Sequence, residues 1–132
     1  MSDLPELDRK RLLLIDDSEI VLAAQTSVLT EAGFDVRAVS SLRQFLNALL
    51  DWNPHLVVTD LYMPDMSGAE LCSWIRRQMP MKRIPIVVCS SAPEDELEQV
   101  VRTSGADAFV SKLDGLAGLP TRLKALCEDI VW

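Results

Sequence analysis

Two short apolar runs in this 132-residue chain end in carboxylates. His55-Leu-Val-Val-Thr-Asp60 leads directly into Leu61-Tyr-Met-Pro64-Asp-Met66-Ser-Gly68, and Leu12-Leu-Leu-Ile15 ends in Asp16-Asp17. If both runs are buried strands, three acids gather at one edge of a sheet. Such a cluster repels itself unless a cation neutralises it, so it implies a metal, a bound proton or a function.

Periodicity indicates the elements that position these acids. Leu12 to Ile15 is continuously apolar, as a strand covered on both faces should be. Ser18 follows as an N-cap, Ile20, Ala24, Val28 and Ala32 recur at helical spacing, and Gly33 ends that helix. Phe34 to Val39 reads as a second strand, with Phe34, Val36 and Ala38 alternating against Asp35 and Arg37. Leu42, Phe45, Leu46 and Leu49 mark the next helix, which Asn53-Pro54 breaks before a third strand, Leu56 to Thr59. Leu71, Trp74, Ile75 and Met79 then mark a helix, and Ile84 to Cys89 a strand with Pro85 near its start. Leu97, Val100, Val101 and Ser104 form a stripe of a helix closed by Gly105. Ala108 to Ser111 is a short fifth strand, and Leu119, Leu123, Leu126 and Ile130 share a face of a last helix with Pro120 in its first turn.

Strands alternating with helices predict an α/β fold: a doubly wound, five-stranded parallel sheet with helices on both faces. Ligands of such sheets bind beyond the carboxyl ends of the strands. The residues to inspect are therefore Asp16, Asp17, Asp60, Ser90, Ser91 and Lys112. Asp17 and Asp60 are hard oxygen ligands suited to Mg²⁺, and Asp16 can hold one of its waters. A carboxylate can accept a phosphoryl group, whose oxygens then need positive charge and hydrogen-bond donors. Lys112 supplies charge, Ser90 a hydroxyl, and small Ser91 leaves room for the group to enter.

Composition narrows the classes. Hydrophobic residues make up 48% of the chain, enough for one core, and the net charge of −7 argues against nonspecific nucleic-acid or anionic-membrane binding. Cys72, Cys89 and Cys127 are scattered with no CxxC pair, so they read as free thiols rather than zinc ligands. Residues 1–11 are polar and charged, unlike a signal peptide, and no apolar stretch approaches a membrane span. The expectation is a soluble, cytoplasmic protein that does not contact membrane.

Taken together, Ile15-Asp16-Asp17-Ser18, the segment Asp60 to Gly68, Val88-Cys-Ser90-Ser91 and Gly105-Ala-Asp107-Ala-Phe109-Val-Ser-Lys112 resemble the receiver domain of the response regulators of two-component signalling. The resemblance spans roughly residues 11–131, leaving residues 1–10 as an N-terminal arm before a domain at 11–132. It implies the flavodoxin-like strand order 2-1-3-4-5 and a role for each position. Asp60 is the phosphoacceptor, and Asp16, Asp17, Asp60 and the backbone carbonyl of Tyr62 hold Mg²⁺. Ser90, Ser91 and Lys112 contact the phosphoryl group, while Ser90 and Phe109 form the switch. A sensor histidine kinase or histidine phosphotransfer protein is the implied donor. The face built by the fourth helix, fifth strand and fifth helix is the implied contact for a downstream protein, with no direct nucleic-acid contact by this domain. Such a protein is a phosphoacceptor regulator and not an enzyme with a separate substrate.

The chain also departs from that family. A proline, joined by a cis bond, usually follows the lysine; here Leu113 follows Lys112, so the bond is either trans or strained, since a non-proline cis bond costs about 3 kcal/mol. Phe109 lacks the hydroxyl of the usual tyrosine. Tyr62, bulky beside the site, is expected to hinder the attacking water and prolong the phosphorylated state. His55 reads as structural, Trp74 as core, Trp132 as an exposed residue, and the run Asp95–Glu98 as a solvated acidic face able to select a basic partner. Two functions compete: a phosphorylation switch, favoured by the complete acid pair, Asp60 and Lys112, and a phosphate-independent binding module, for which Leu113 and the glycines of Leu113-Asp-Gly115-Leu-Ala-Gly118 leave space. A flavodoxin-like cofactor carrier is opposed by Asp16-Asp17, and an aspartate-nucleophile phosphatase by Tyr62 where a second acid is usual.

Overall fold

The computed structural model describes residues 9–81 and 83–128, with side chains described through Leu126. The expectations for residues 1–8, Cys127, Ile130 and Trp132 fall outside those residues or their described side chains. The elements run β1 (Arg11–Ile15), α1 (Glu19–Glu31), β2 (Asp35–Val39), α2 (Leu42–Asp51), β3 (Leu56–Thr59), α3 (Gly68–Gln78), β4 (Ile86–Ser90), α4 (Glu94–Ser104), β5 (Ala108–Ser111) and α5 (Leu119–Glu128). The strands pair in parallel in the order β2-β1-β3-β4-β5, the expected flavodoxin-like topology.

The apolar strands have two buried faces because each covers a different set of helices. Leu13, Ile15, Val57, Ile86 and Val88 pack with Phe45, Leu71, Ile75 and Leu97 from α2, α3 and α4. Leu12, Leu14, Leu56, Val58, Val87 and Val110 pack with Leu22, Leu29, Leu119 and Leu123 from α1 and α5. Alternate residues of one strand thus serve opposite cores. Trp74 packs at the rim of the first core, partly buried.

Three local expectations change. In α1 the buried residues are Leu22, Gln25 and Leu29, whereas Ile20 is 85% exposed. The segment is apolar nearly all round, so spacing alone selects no face. In β2, Phe34 and Val36 face the α1 and α5 side as expected, but Ala38 is exposed and Val39 turns into the other core. Alternation holds, since Val39 lies on the face opposite Phe34 and Val36; only Ala38 goes uncovered, at the end of an edge strand. Finally, β4 begins at Ile86, two residues after the expected start. Ile84 and Pro85 are buried nonetheless, and the Ile84 carbonyl accepts from Arg76.

Caps close the helices as their sequences suggest. Ser18 Oγ accepts from the Val21 N–H, Ser41 Oγ from the Gln44 N–H, and Ser67 and Glu70 form a reciprocal capping box at α3. Gly105 ends α4 in the left-handed region, where a side chain would be strained. His55 has the expected structural role at the far end of the sheet: its Nδ1 accepts from the Arg11 N–H at 2.9 Å. Among the described residues no helix is long and apolar enough to cross a membrane.

Asp107 locks the sheet end opposite the acids. Its carboxylate accepts from the Ile86 N–H at 2.8 Å, from Arg76 at 2.9 Å and from Arg83. Arg76 also reaches the carbonyls of Ile84 and Gly105. Asp107→Ala removes a charged acceptor from a half-buried guanidinium and a backbone N–H. It is expected to cost about 1.5–3 kcal/mol, read as a lower urea midpoint.

Candidate functional site

Strand register brings the expected residues together. Ile15 lies beside Thr59, so Asp16 and Asp60 leave adjacent strands side by side. Ser90 lies beside Ser111, which sets Ser91 next to Lys112. Because β2 pairs on the other side of β1, the β1–β3 boundary is the switch point of strand order, where a crevice forms.

Carboxylate oxygens of Asp16, Asp17 and Asp60 all lie within 4.8 Å of one another. Asp16 is 2% exposed; its Oδ1 accepts from the Ser18 N–H at 2.9 Å and its Oδ2 from Lys112 Nζ at 2.7 Å. Lys112 Nζ also lies 3.5 Å from Asp60 Oδ2. Asp60 Oδ1 accepts from the Leu61 N–H at 2.8 Å, which sets the carboxylate's rotation and leaves Oδ2 on the Lys112 side. Asp17 is exposed. One ammonium, paired with Asp16 and Asp60, therefore serves a cluster of three carboxylates.

Burial raises the Asp60 carboxyl; Lys112 opposes that, the Asp16 charge adds to it, and the net position is above the ordinary aspartate value. For Lys112, burial works against the charge, but Asp16 and Asp60 outweigh it and hold the ammonium above the ordinary lysine value. The uncompensated negative charge, the all-oxygen donor set and the exposed Asp17 suit a hard divalent ion that keeps part of its water shell. The donors present thus fit Mg²⁺.

The remaining expected residues are placed as follows. Ser90 is fully buried at the end of β4, and its hydroxyl accepts from the Ala92 N–H at 3.2 Å. Ser91 is exposed beside it. Phe109 is half-buried and packs on the α2, α3 and α4 side of the sheet. The described peptide bonds are all trans, which answers the question at Lys112–Leu113. There Lys112–Asp114 forms a single 3₁₀ turn in which Ser111 Oγ accepts from the Leu113 N–H at 3.1 Å, a donor that proline lacks. Cys72 and Cys89 are buried free thiols, each pushed up to about 11 by burial.

Two contacts carry no signal in the sequence pattern. Thr59 Oγ1 donates to the Asp60 carbonyl at 2.9 Å. Tyr62 Oη donates to Glu96 Oε2 on α4 at 2.5 Å. The bond to Glu96 raises the Tyr62 phenol above its ordinary value, with desolvation and the nearby acids adding to it. The two residues are 34 positions apart, and no periodicity or motif links them.

A parallel sheet with an acid cluster and a lysine at its switch point places the chain among the doubly wound α/β domains whose ligand sites lie beyond the carboxyl ends of the strands. Among these, the chain belongs to the response regulator receiver domain family, whose model matches residues 12–124. It is 34% identical over 118 residues to the transcriptional regulatory protein GltR of Pseudomonas aeruginosa, covering 89% of this chain but 48% of that protein. The chain thus spans about half the length of that curated relative. The receiver domain of DrrB from Thermotoga maritima, solved in a BeF₃-activated form, superimposes with a TM-score of 0.75 at 27% identity, covering 91% of this chain and 98% of the other. The chemotaxis response regulator CheY4 of Vibrio cholerae shares the fold, with a TM-score of 0.80 at 24% identity over 89% and 98% of the two chains.

Proposed function

We propose that this receiver domain is a phosphorylation switch in which Asp60 accepts a phosphoryl group from a histidine kinase or histidine phosphotransfer protein. The observation that carries the reading is the joint placement of Asp16, Asp17, Asp60 and Lys112 at one sheet edge, with Lys112 bridging Asp16 and Asp60. In the transfer, an Asp60 carboxylate oxygen attacks phosphorus while the bond to the donor imidazole nitrogen breaks, and the imidazole retains the bonding electrons and takes up a proton. The Leu61 N–H holds the carboxylate in one rotation for that attack. Lys112 neutralises charge on the incoming oxygens, and exposed Ser91 leaves the entrance clear.

Asp16, Asp17, Asp60 and the Tyr62 carbonyl are the groups to hold Mg²⁺, which when bound supplies further positive charge for the phosphoryl oxygens. The output runs through Ser90 and Phe109. Turning toward a phosphoryl group costs the Ser90 hydroxyl its Ala92 bond, roughly 1 kcal/mol. A charge-assisted bond to a phosphoryl oxygen offsets that loss. Phe109 then moves inward, and the α4–β5–α5 face changes its fit to a protein target. This reading makes the domain a cytoplasmic regulator that acts through protein contacts, without nucleic acid and without a separate substrate.

The test is incubation with Mg²⁺ and acetyl phosphate or phosphoramidate, followed by intact mass. A gain of one phosphoryl group, lost with EDTA and in Asp60→Ala, is the expected result. No gain, or a gain that survives Asp60→Ala, defeats the switch and leaves a phosphate-independent binding module.

A further inference from the structure

The contact between Tyr62 and Glu96 joins the loop after the acceptor strand to a helix of the proposed output face. Tyr62 is 54% exposed, yet it is fixed at both ends. At its backbone end, Leu61 is buried, its N–H donates to Asp60 Oδ1 and its carbonyl accepts from the Gly68 N–H at 2.8 Å. At the ring end, the hydroxyl donates to a carboxylate in a short, charge-assisted bond. Glu96 lies in the first turn of α4, whose helix dipole favours a negative charge there. Since β4 neighbours β3 and α4 follows β4, the bond joins the loop after Asp60 to the helix that follows Ser90 and Ser91.

We propose that Glu96 is a positioning residue for the aspartyl phosphate: by holding the Tyr62 hydroxyl it keeps the ring beside the crevice and lengthens the life of the phosphoryl group. The inference rests on the reading of Asp60 as phosphoacceptor and adds a residue to it. In the hydrolysis that ends the phosphorylated state, a water oxygen bonds to phosphorus while the bond from phosphorus to the Asp60 oxygen breaks. Asp60 leaves as a carboxylate, and the water's protons go to the departing phosphate and to solvent. Water must approach opposite the Asp60 oxygen, through the open mouth of the crevice. A tethered ring obstructs that approach continuously, whereas an untethered ring on an exposed loop samples other rotamers and clears it.

Two measurements test this. The first is phosphoryl lifetime, followed by intact mass after loading from acetyl phosphate with Mg²⁺ and removing the donor. Glu96→Ala is expected to load normally and to lose its phosphoryl group about 3–10-fold faster than the parent, the scale of one exposed hydrogen bond. Tyr62→Phe should lose it equally fast, and the double variant no faster than either. Glu96→Gln, which keeps an acceptor, should restore most of the lifetime. The second is NMR of ¹³C-labelled tyrosine. Tyr62 is the chain's one tyrosine, so a single ring signal reports the tether without phosphorylation. That signal should shift in Glu96→Ala.

Unchanged lifetimes in both single variants, or effects that add in the double, overturn the inference while leaving the switch intact. An unmoved tyrosine signal in Glu96→Ala overturns the tether itself. If the parent protein takes up no phosphoryl group, the reading of Asp60 falls and this inference falls with it, a result the lifetime comparison cannot imitate.

Discussion

Asp60→Asn is expected to take up no phosphoryl group from acetyl phosphate and, in metal-free buffer near neutral pH, to melt above the parent protein. The first effect follows from chemistry, because the amide removes the anionic oxygen that attacks phosphorus. The second follows from the cost of the native carboxylate. Burial and the Asp16 charge raise the Asp60 carboxyl in spite of Lys112, so the folded protein binds that proton more tightly than the unfolded chain does. Ionising Asp60 therefore opposes folding. Its favourable contribution is complete below the unfolded value of 3.8 and is lost as pH rises through the higher native value. At neutral pH the isosteric, uncharged Asn avoids that loss. Burial, the largest cause, outweighs the Lys112 attraction, so relieving its cost is expected to give a melting gain of roughly 2–5 °C. The gain should shrink as the buffer is made more acidic, and added Mg²⁺ should raise the parent's melting temperature more than the variant's. Calorimetry at several pH values with and without Mg²⁺ checks each point; a variant that melts lower at neutral pH contradicts the account.

Gly68→Ala is the second large effect. A Cβ at Gly68 would sit 2.2 Å from the Asp60 carbonyl oxygen and 3.1 Å from the Leu61 Cα. Both are backbone atoms that cannot rotate away. The Asp60 carbonyl is bonded to the Thr59 hydroxyl, and the Leu61 carbonyl to the Gly68 N–H. The glycine is needed for close approach: α3 begins against the strand end that carries the acceptor. Adding one methyl is expected to cost about 1–3 kcal/mol, or roughly 2–15 °C in melting temperature. Phosphoryl uptake should slow as well, because the loop that gives way carries Asp60 and the Tyr62 carbonyl. A near-normal melting temperature with normal uptake would mean that α3 can start one step further out without cost.

Much of this is legible in the residues. The continuous apolar runs Leu12–Ile15 and Leu56–Thr59 require strands buried on both faces, and the polar residue that follows such a run must emerge at the sheet edge. That places Asp16, Asp17 and Asp60 without knowledge of any contact. The cap at Ser18 was equally readable, because a hydroxyl before an apolar periodic segment satisfies its first free N–H groups; the structure adds Ser41 and Ser67 by the same rule. The buried face of α1 was not readable, because apolar residues surround that helix and only the position of the sheet decides which are covered.

By itself, then, the sequence determined the alternation of strands and helices, the family, and the gathering of acids and a lysine at one edge. These depend on local pattern and on the rule that parallel strands end together. Tertiary structure alone decided how those charges are shared. Lys112 lies 2.7 Å from Asp16, which leaves β1, and 3.5 Å from Asp60, which leaves β3, although β3 is the nearer strand to β5. It also decided that Tyr62 meets Glu96. Distances between residues far apart in the chain depend on how whole elements pack, and no local pattern encodes them.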